Sequence, residues 1–172
     1  MSMGPCDETR RLDGSARRYP GLSPGDDTLL RSWLASLAKP PEEIHTHVPV
    51  GNLPRLLGEL NTAANRAQVE ASYPRRIDCA CRFGDGWTIV ECKPEADHHA
   101  LGQILCYRWW WERDLPGLRV DRVMVVTDVC VADCAGPYNA YGVVVHSCGP
   151  VLEFEASRRR EVFGDRFPLV DA

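Results

Sequence analysis

Five residues of this chain have types and spacings that could do chemistry together. Asp78 stands in RRID, Glu91 and Lys93 in TIVECK, and Gln103 and Tyr107 in GQILCY. Glu91 and Lys93 are two charges separated only by Cys92 in an otherwise apolar stretch. Burying charge there is costly unless the charges are paired or hold a metal. Carboxylate oxygens suit a hard cation such as Mg²⁺, which also coordinates phosphate oxygens. Such an ion lowers the pKa of a bound water and stabilises charge in an in-line displacement. A neighbouring lysine can orient that water or stabilise the developing charge. The plain alternative is a structural salt bridge between Lys93 and Asp78.

These groups need elements that bring them together. The stretch RRIDCACRFGDGWTIVECK reads as two strands around FGDGW. Asp85-Gly86 predicts a two-residue type I′ turn. That turn sets Gly84 against Trp87, Ala80 against Glu91 and Asp78 against Lys93. Opposed residues share a face, so Asp78, Glu91 and Lys93 converge with small Ala80 between them. The other face carries Ile77, Cys79, Cys81, Phe83, Val90 and Cys92, all apolar.

A helix follows over ADHHALGQILCYRWWWERD. His99, Gln103 and Tyr107 recur at i, i+4 and i+8, on one stripe. Leu101, Ile104, Leu105 and Trp109 supply packing on neighbouring stripes, and Cys106 is expected to pack as well. Gln can hydrogen-bond a phosphate, a base or a metal-bound water, and Tyr adds a hydroxyl. An amphipathic helix with a merely wet polar stripe is the alternative, and His98 is expected to face solvent or support the site indirectly. The triplet Trp109-Trp110-Trp111 cannot face one way; Trp109 is expected in the core, leaving one tryptophan for base stacking or a dimer contact.

The remaining chain frames this centre. It has 172 residues, 44% hydrophobic and 26% charged, which suits one globular domain. No apolar run approaches the roughly 20 residues of a membrane span, and no secretory signal is expected. Eight cysteines are therefore expected as reduced thiols in a cytoplasmic, intracellular protein. The net charge of −4 does not advertise a nucleic-acid binder. Arginine clusters at 10–11, 17–18, 75–76 and 158–160 could still grip phosphates, or be ordinary solvated charge. Residues 1–22 read as a flexible N-terminal arm and 23–172 as a single domain. In SPGDDTLLRSWLASLAK, Ser23 can cap a helix, with Pro24 in its first turn and Asp26 and Asp27 at its positive end. EEIHTHVPV is a strand candidate, 51–75 an insertion, DRVMVVTDV a buried strand, and ADCAGPYNAYGVVVHSC a short helix or turn plus a strand.

At Asp78, IVECK and Gln103-x-x-x-Tyr107 the sequence resembles the PD-(D/E)XK nuclease superfamily, in its RecB-like branch. The resemblance is clearest over about 75–128. It implies an α/β (α+β) fold with a restriction-endonuclease-like αβββαβ core, a central mixed sheet flanked by helices, over 24–38, 43–50, 76–83, 87–93, 97–112 and 120–128. It implies Mg²⁺ or Mn²⁺ held by Asp78, Glu91 and the Cys92 backbone carbonyl, with Lys93 catalytic. Gln103 and Tyr107 would sit beside the site; His99, Arg75 and Arg76 are further substrate-binding candidates. The usual Pro before the Asp is replaced by Ile77. Many members add an acidic ligand from the first helix. Here that helix offers only Asp26 and Asp27 near its start, so Glu70, with Glu59 behind it, is the candidate from the insertion. Some relatives hold an iron–sulfur cluster, but Cys6, Cys130, Cys134 and Cys148 lack the compact spacing, so neither a cluster nor zinc is expected.

The resulting expectation is a Mg²⁺/Mn²⁺-dependent deoxyribonuclease. RNA is a further candidate substrate, and a homodimer or a nuclease or helicase subunit a candidate partner. The alternative is a nucleic-acid-binding or scaffold module that keeps the fold with little cleavage.

Overall fold

The computed structural model describes residues 18–51, 61–72 and 75–149 and the backbone of 151–152; the side chains of 70–72 lie outside that set. The first helix, α1 (Pro24–Ser36), starts where its capping residues predict. Ser23 Oγ accepts the Asp26 N–H at 3.2 Å. Such a cap is worth about 1 kcal/mol. Leu29, Leu30 and Trp33 form its buried stripe.

Nine elements follow: β1 (Glu43–Val50), α2 (Ala63–Ser72), β2 (Arg75–Phe83), β3 (Gly86–Ala96), α3 (His98–Asp114), β4 (Val120–Val131), α4 (Ala132–Ala140), β5 (Val143–Ser147) and β6 (Val151–Leu152). The chain is α+β, with a mixed sheet in the order β1-β2-β3-β4-β5 flanked by helices. β1, β2 and β3 pair antiparallel, while β3, β4 and β5 pair parallel. Parallel neighbours need crossovers, and α3 and α4 provide them. β6 pairs with the end of β4.

The sheet is covered on both faces. Ala80, Ile89 and Val125 pack in one cluster with Ile104, Tyr107 and Trp111 of α3. Cys79, Cys81, Cys92 and Val126 pack in another with Leu30 and Trp33 of α1. The seven cysteines among the described residues are all free thiols. No helix among the described residues is long and apolar enough to cross a membrane.

Several expectations are corrected. The hairpin pairs Phe83 with Gly86 and Cys79 with Val90, so its loop is Gly84-Asp85, one residue earlier than expected. Gly84 takes φ +61° at the first loop position, as a type II′ turn requires. Gly86 instead opens β3, where a Cβ would collide with the Asp121 carboxylate. The expected pairs Ala80–Glu91 and Asp78–Lys93 do not form: Ala80 pairs with Ile89, and the ladder ends at Cys79–Val90, before Asp78. Ile77 packs on the α3 side with Ala80, away from Cys79 and Cys81. The alternation breaks at Asp78, and opposite this break His47 adopts a left-handed φ of +57° between the Thr46–Cys79 and Val48–Ile77 pairs.

The packed domain also begins before residue 23. Tyr19 and Leu22 are buried against α1, and Tyr19 N–H donates to Asp27 Oδ1 at 2.6 Å. On α3 the core stripe is Ala100, Ile104, Tyr107 and Trp111, with Leu101 beside it. That spacing turns Trp109 outward, 58% exposed, and leaves Cys106 exposed too. The expected packing roles of Trp109 and Cys106 are therefore wrong, and Trp111 takes the core position. Cys6, Glu59, the arginines at 10–11, 17 and 158–160, and the chain after Leu152 lie outside the described residues.

Candidate metal centre and nucleic-acid interface

The site sits where the sheet forks. The β2–β3 ladder ends at Cys79–Val90. Beyond that pair β2 stays with β1, and β3 stays with β4 as far as Ala96. A continued ladder would pair the Cys92 N–H with the Ile77 carbonyl. Instead Cys92 N–H donates to Asp78 Oδ2 at 2.9 Å. The N–H and C=O of one strand residue point the same way, so the Cys92 carbonyl also faces the fork. Its thiol lies in the α1-side core.

Glu91 is fully buried. Lys93 Nζ lies 2.9 Å from Glu91 Oε1 as an ion pair, and the Asp78 carboxyl is its other polar neighbour. A buried carboxylate is an expensive group even when an ammonium pairs with it. Burial, followed by the charge of Asp78, pushes the Glu91 carboxyl up to about 8. Burial likewise pushes Asp78 up to about 6, against the pull of the Cys92 N–H; the charge of Asp26 adds to the rise and that of Lys93 opposes it. Burial alone would lower Lys93, yet its contact with Glu91 and the charges of Asp78 and Asp26 hold it above its ordinary value. Two neighbouring buried carboxyls, both with raised proton affinity, share the charge of Lys93, so the site is short of positive charge. An oxygen-seeking divalent cation fits that deficit through Asp78, Glu91 and the Cys92 carbonyl.

The flank of α3 closes one side. Gln103 Nε2 donates to Tyr107 Oη at 2.7 Å. This leaves the phenolic hydrogen free to be donated to a substrate oxygen. Burial, and then the Glu91 charge, raises the Tyr107 hydroxyl, so Tyr107 stays a neutral donor. Tyr107 is buried while Gln103 is half-buried.

The other expected residues fall in different places. Arg75 is exposed, with its Cζ 4.5 Å from the centroid of the Trp110 ring. Arg76 is half-buried and donates to the His47 carbonyl at 3.4 Å. His99 and His98 are both exposed. His99 Nδ1 lies 3.0 Å from Asp97 Oδ2, so it pairs with the helix cap and not with the carboxylates. Glu70 lies on α2, but its side chain is outside the described residues.

One residue near the centre was undervalued in the sequence. Asp26 and Asp27 are neighbours on α1, about 100° apart around the helix. Asp27 is buried and taken by Tyr19 N–H and Arg31, at 2.8 Å from Arg31 Nε. Asp26 turns the other way, and its charge reaches Asp78, Cys92 and Lys93. The available signal was the cap itself, because Ser23 fixes the rotation of the first turn. Asp26 does not join Asp78 and Glu91 in one compact ligand set. Among the described residues only Asp97, His98 and His99 have three candidate ligand atoms within 4.8 Å. That trio is a poor cation site: Asp97 already caps α3 by accepting the Ala100 N–H at 2.9 Å, at the positive end of the helix. Cys130 and Cys134 are partly buried and Cys148 is exposed. Comparison of the chain with protein-family models, with curated proteins and with solved structures found no match.

Proposed function

We propose that this chain is a Mg²⁺- or Mn²⁺-dependent nuclease that hydrolyses phosphodiester bonds of DNA. The observation that carries the reading is Glu91. Its carboxylate is wholly buried beside a second carboxyl, that of Asp78, with Lys93 Nζ at 2.9 Å. A fold seeking only stability would gain from an apolar residue there, since buried charge rarely stabilises. The arrangement is reasonable if the carboxylates hold a cation.

In this reading Asp78, Glu91 and the Cys92 carbonyl hold the ion. When bound, the ion makes a coordinated water more acidic and offsets charge on phosphoryl oxygens. Lys93, kept protonated by its acidic neighbours, orients the attacking water and stabilises the negative charge that develops at phosphorus. Tyr107, held by Gln103, donates to a phosphate oxygen. Asp26 adds negative charge on the α1 side and helps keep Lys93 protonated.

The test is cleavage of labelled single-stranded, double-stranded and branched DNA with Mg²⁺, Mn²⁺ or EDTA. Cleavage is expected only with a divalent ion and is expected to be lost in Lys93→Ala and Glu91→Ala. Cleavage that persists unchanged in both variants refutes the site. Binding without cleavage under any ion makes the chain a nucleic-acid-binding module.

A further inference from the structure

The tryptophan triplet does more than pack α3. Trp111 is buried, and its indole N–H donates to the Leu118 carbonyl at 2.8 Å. The other two tryptophans each carry an arginine. Arg75 Cζ lies 4.5 Å from the Trp110 ring centroid, and Arg113 Cζ lies 4.9 Å from that of Trp109. The Arg75–Trp110 pair is joined to the site by contact: Trp110 lies 6.1 Å from the Tyr107 ring, and Tyr107 accepts the hydrogen bond of Gln103.

The Trp110 pair is held in place from behind. Gly51, at φ +79°, lies close against the indole, and its N–H donates to Asp114 Oδ2 at 3.2 Å. Arg75 covers the ring and is itself exposed. Its outer side therefore offers a planar cation already held over an aromatic ring. Trp109 is 58% exposed although burial would stabilise an indole. Arg113 beside it is bridged to Asp114 at 2.8 Å, so it is fixed as well.

Alternating indoles and guanidinium planes match an unpaired polynucleotide strand. Bases stack on aromatic rings and on guanidinium planes, while the guanidinium charge meets the phosphates. A base inside a duplex has no free face for either. We infer that the Arg75–Trp110 and Arg113–Trp109 pairs form a track for single-stranded polynucleotide, delivering an unpaired strand to the Asp78–Glu91–Lys93 centre. This rests on the nuclease reading for that centre and adds the substrate class to it.

The test is binding of labelled single-stranded and duplex oligonucleotides of one sequence in EDTA, followed by anisotropy and by quenching of tryptophan fluorescence. Single strand is expected to bind at least about tenfold tighter than duplex and to quench. Arg75→Lys keeps the charge but loses the plane, and Trp109→Leu alters an exposed side chain, so neither threatens the fold. Each is expected to weaken single-strand binding by about tenfold, the usual scale of one lost stack, with duplex binding little changed. Equal or tighter duplex binding, or unchanged binding in both variants, overturns the track; if Mg²⁺-dependent cleavage persists, the nuclease reading stands without it. A Trp109→Leu variant that changes oligomeric state and not strand binding overturns it too, assigning that side chain to a contact between copies. Absence of both polynucleotide binding and cleavage removes the nuclease reading and the track together.

Discussion

Replacing Glu91 by glutamine should remove a large, pH-dependent penalty from the metal-free protein. The Glu91 carboxyl titrates from an ordinary value of 4.5 in the unfolded chain and is pushed up to about 8 in the folded one. A raised folded value means the folded state binds the proton more tightly. The stability it contributes is therefore whole below 4.5, falls as pH rises, and is gone above about 8. The separation is worth about 5 kcal/mol at 1.36 kcal/mol per pH unit. Between pH 5 and pH 9 the linkage amounts to about 4 kcal/mol. Glutamine has nearly the same shape and does not titrate. In EDTA, urea unfolding followed by tryptophan fluorescence should show the wild type losing that much more stability than Glu91→Gln over the interval. Saturating Mg²⁺ at pH 8 should restore the wild type and do little for the variant. Parallel stability curves in EDTA would refute the claim that burial beside Asp78 raises the proton affinity of Glu91. Equal rescue by Mg²⁺ would refute its role as a ligand.

Cleavage at limiting Mg²⁺ should rise with pH from about 6 to about 8, as protons leave Asp78 and then Glu91; more Mg²⁺ should shift the profile to lower pH, and a flat profile would exclude competition between proton and metal. Lys93→Met should lower kcat by about 10²–10³-fold with little change in substrate binding, as expected when a charge acting in the transition state is removed; steady-state kinetics separate the two. Trp111→Ala should lose about 3–5 kcal/mol in urea unfolding, the usual loss for a buried tryptophan, while Trp109→Ala should stay within about 1 kcal/mol; the reverse order would place the wrong indole in the core. Ser23→Ala should lose about 1 kcal/mol through the cap of α1, read as a lower thermal midpoint.

The order of elements was legible because its signals are local. Ser23 and Pro24 start α1 by satisfying or lacking the first N–H groups. The alternation in β2 and β3 follows from a side-chain period of two, and the apolar run of β4 from burial on both faces. The approach of Asp78, Glu91 and Lys93 was legible only as far as the hairpin that joins their strands; the break in β2 at Asp78 completed it. Gln103 and Tyr107 were legible as one helical turn apart.

What the sequence by itself determined, then, is which residues share a strand, a face or a helical stripe. Only the tertiary structure decided how these units meet. The loop falls at Gly84-Asp85 and not at Asp85-Gly86, and residue 86 must lack a side chain because the Asp121 carboxylate occupies that space. The rotation of α3 was made by the sheet beneath it, which took Trp111 and left Trp109 in solvent. The distinction between Asp26 and Asp27 depended on Tyr19, which claims one of two adjacent carboxylates. The meeting of Asp78 with Glu91 depended on β2 leaving β3 after Cys79, so that an Asp78 side chain stands where a ladder bond would have been. Each of these rests on a contact between residues distant in the chain. Local periodicity holds no information about such contacts, because the space they compete for exists only once the layers have packed.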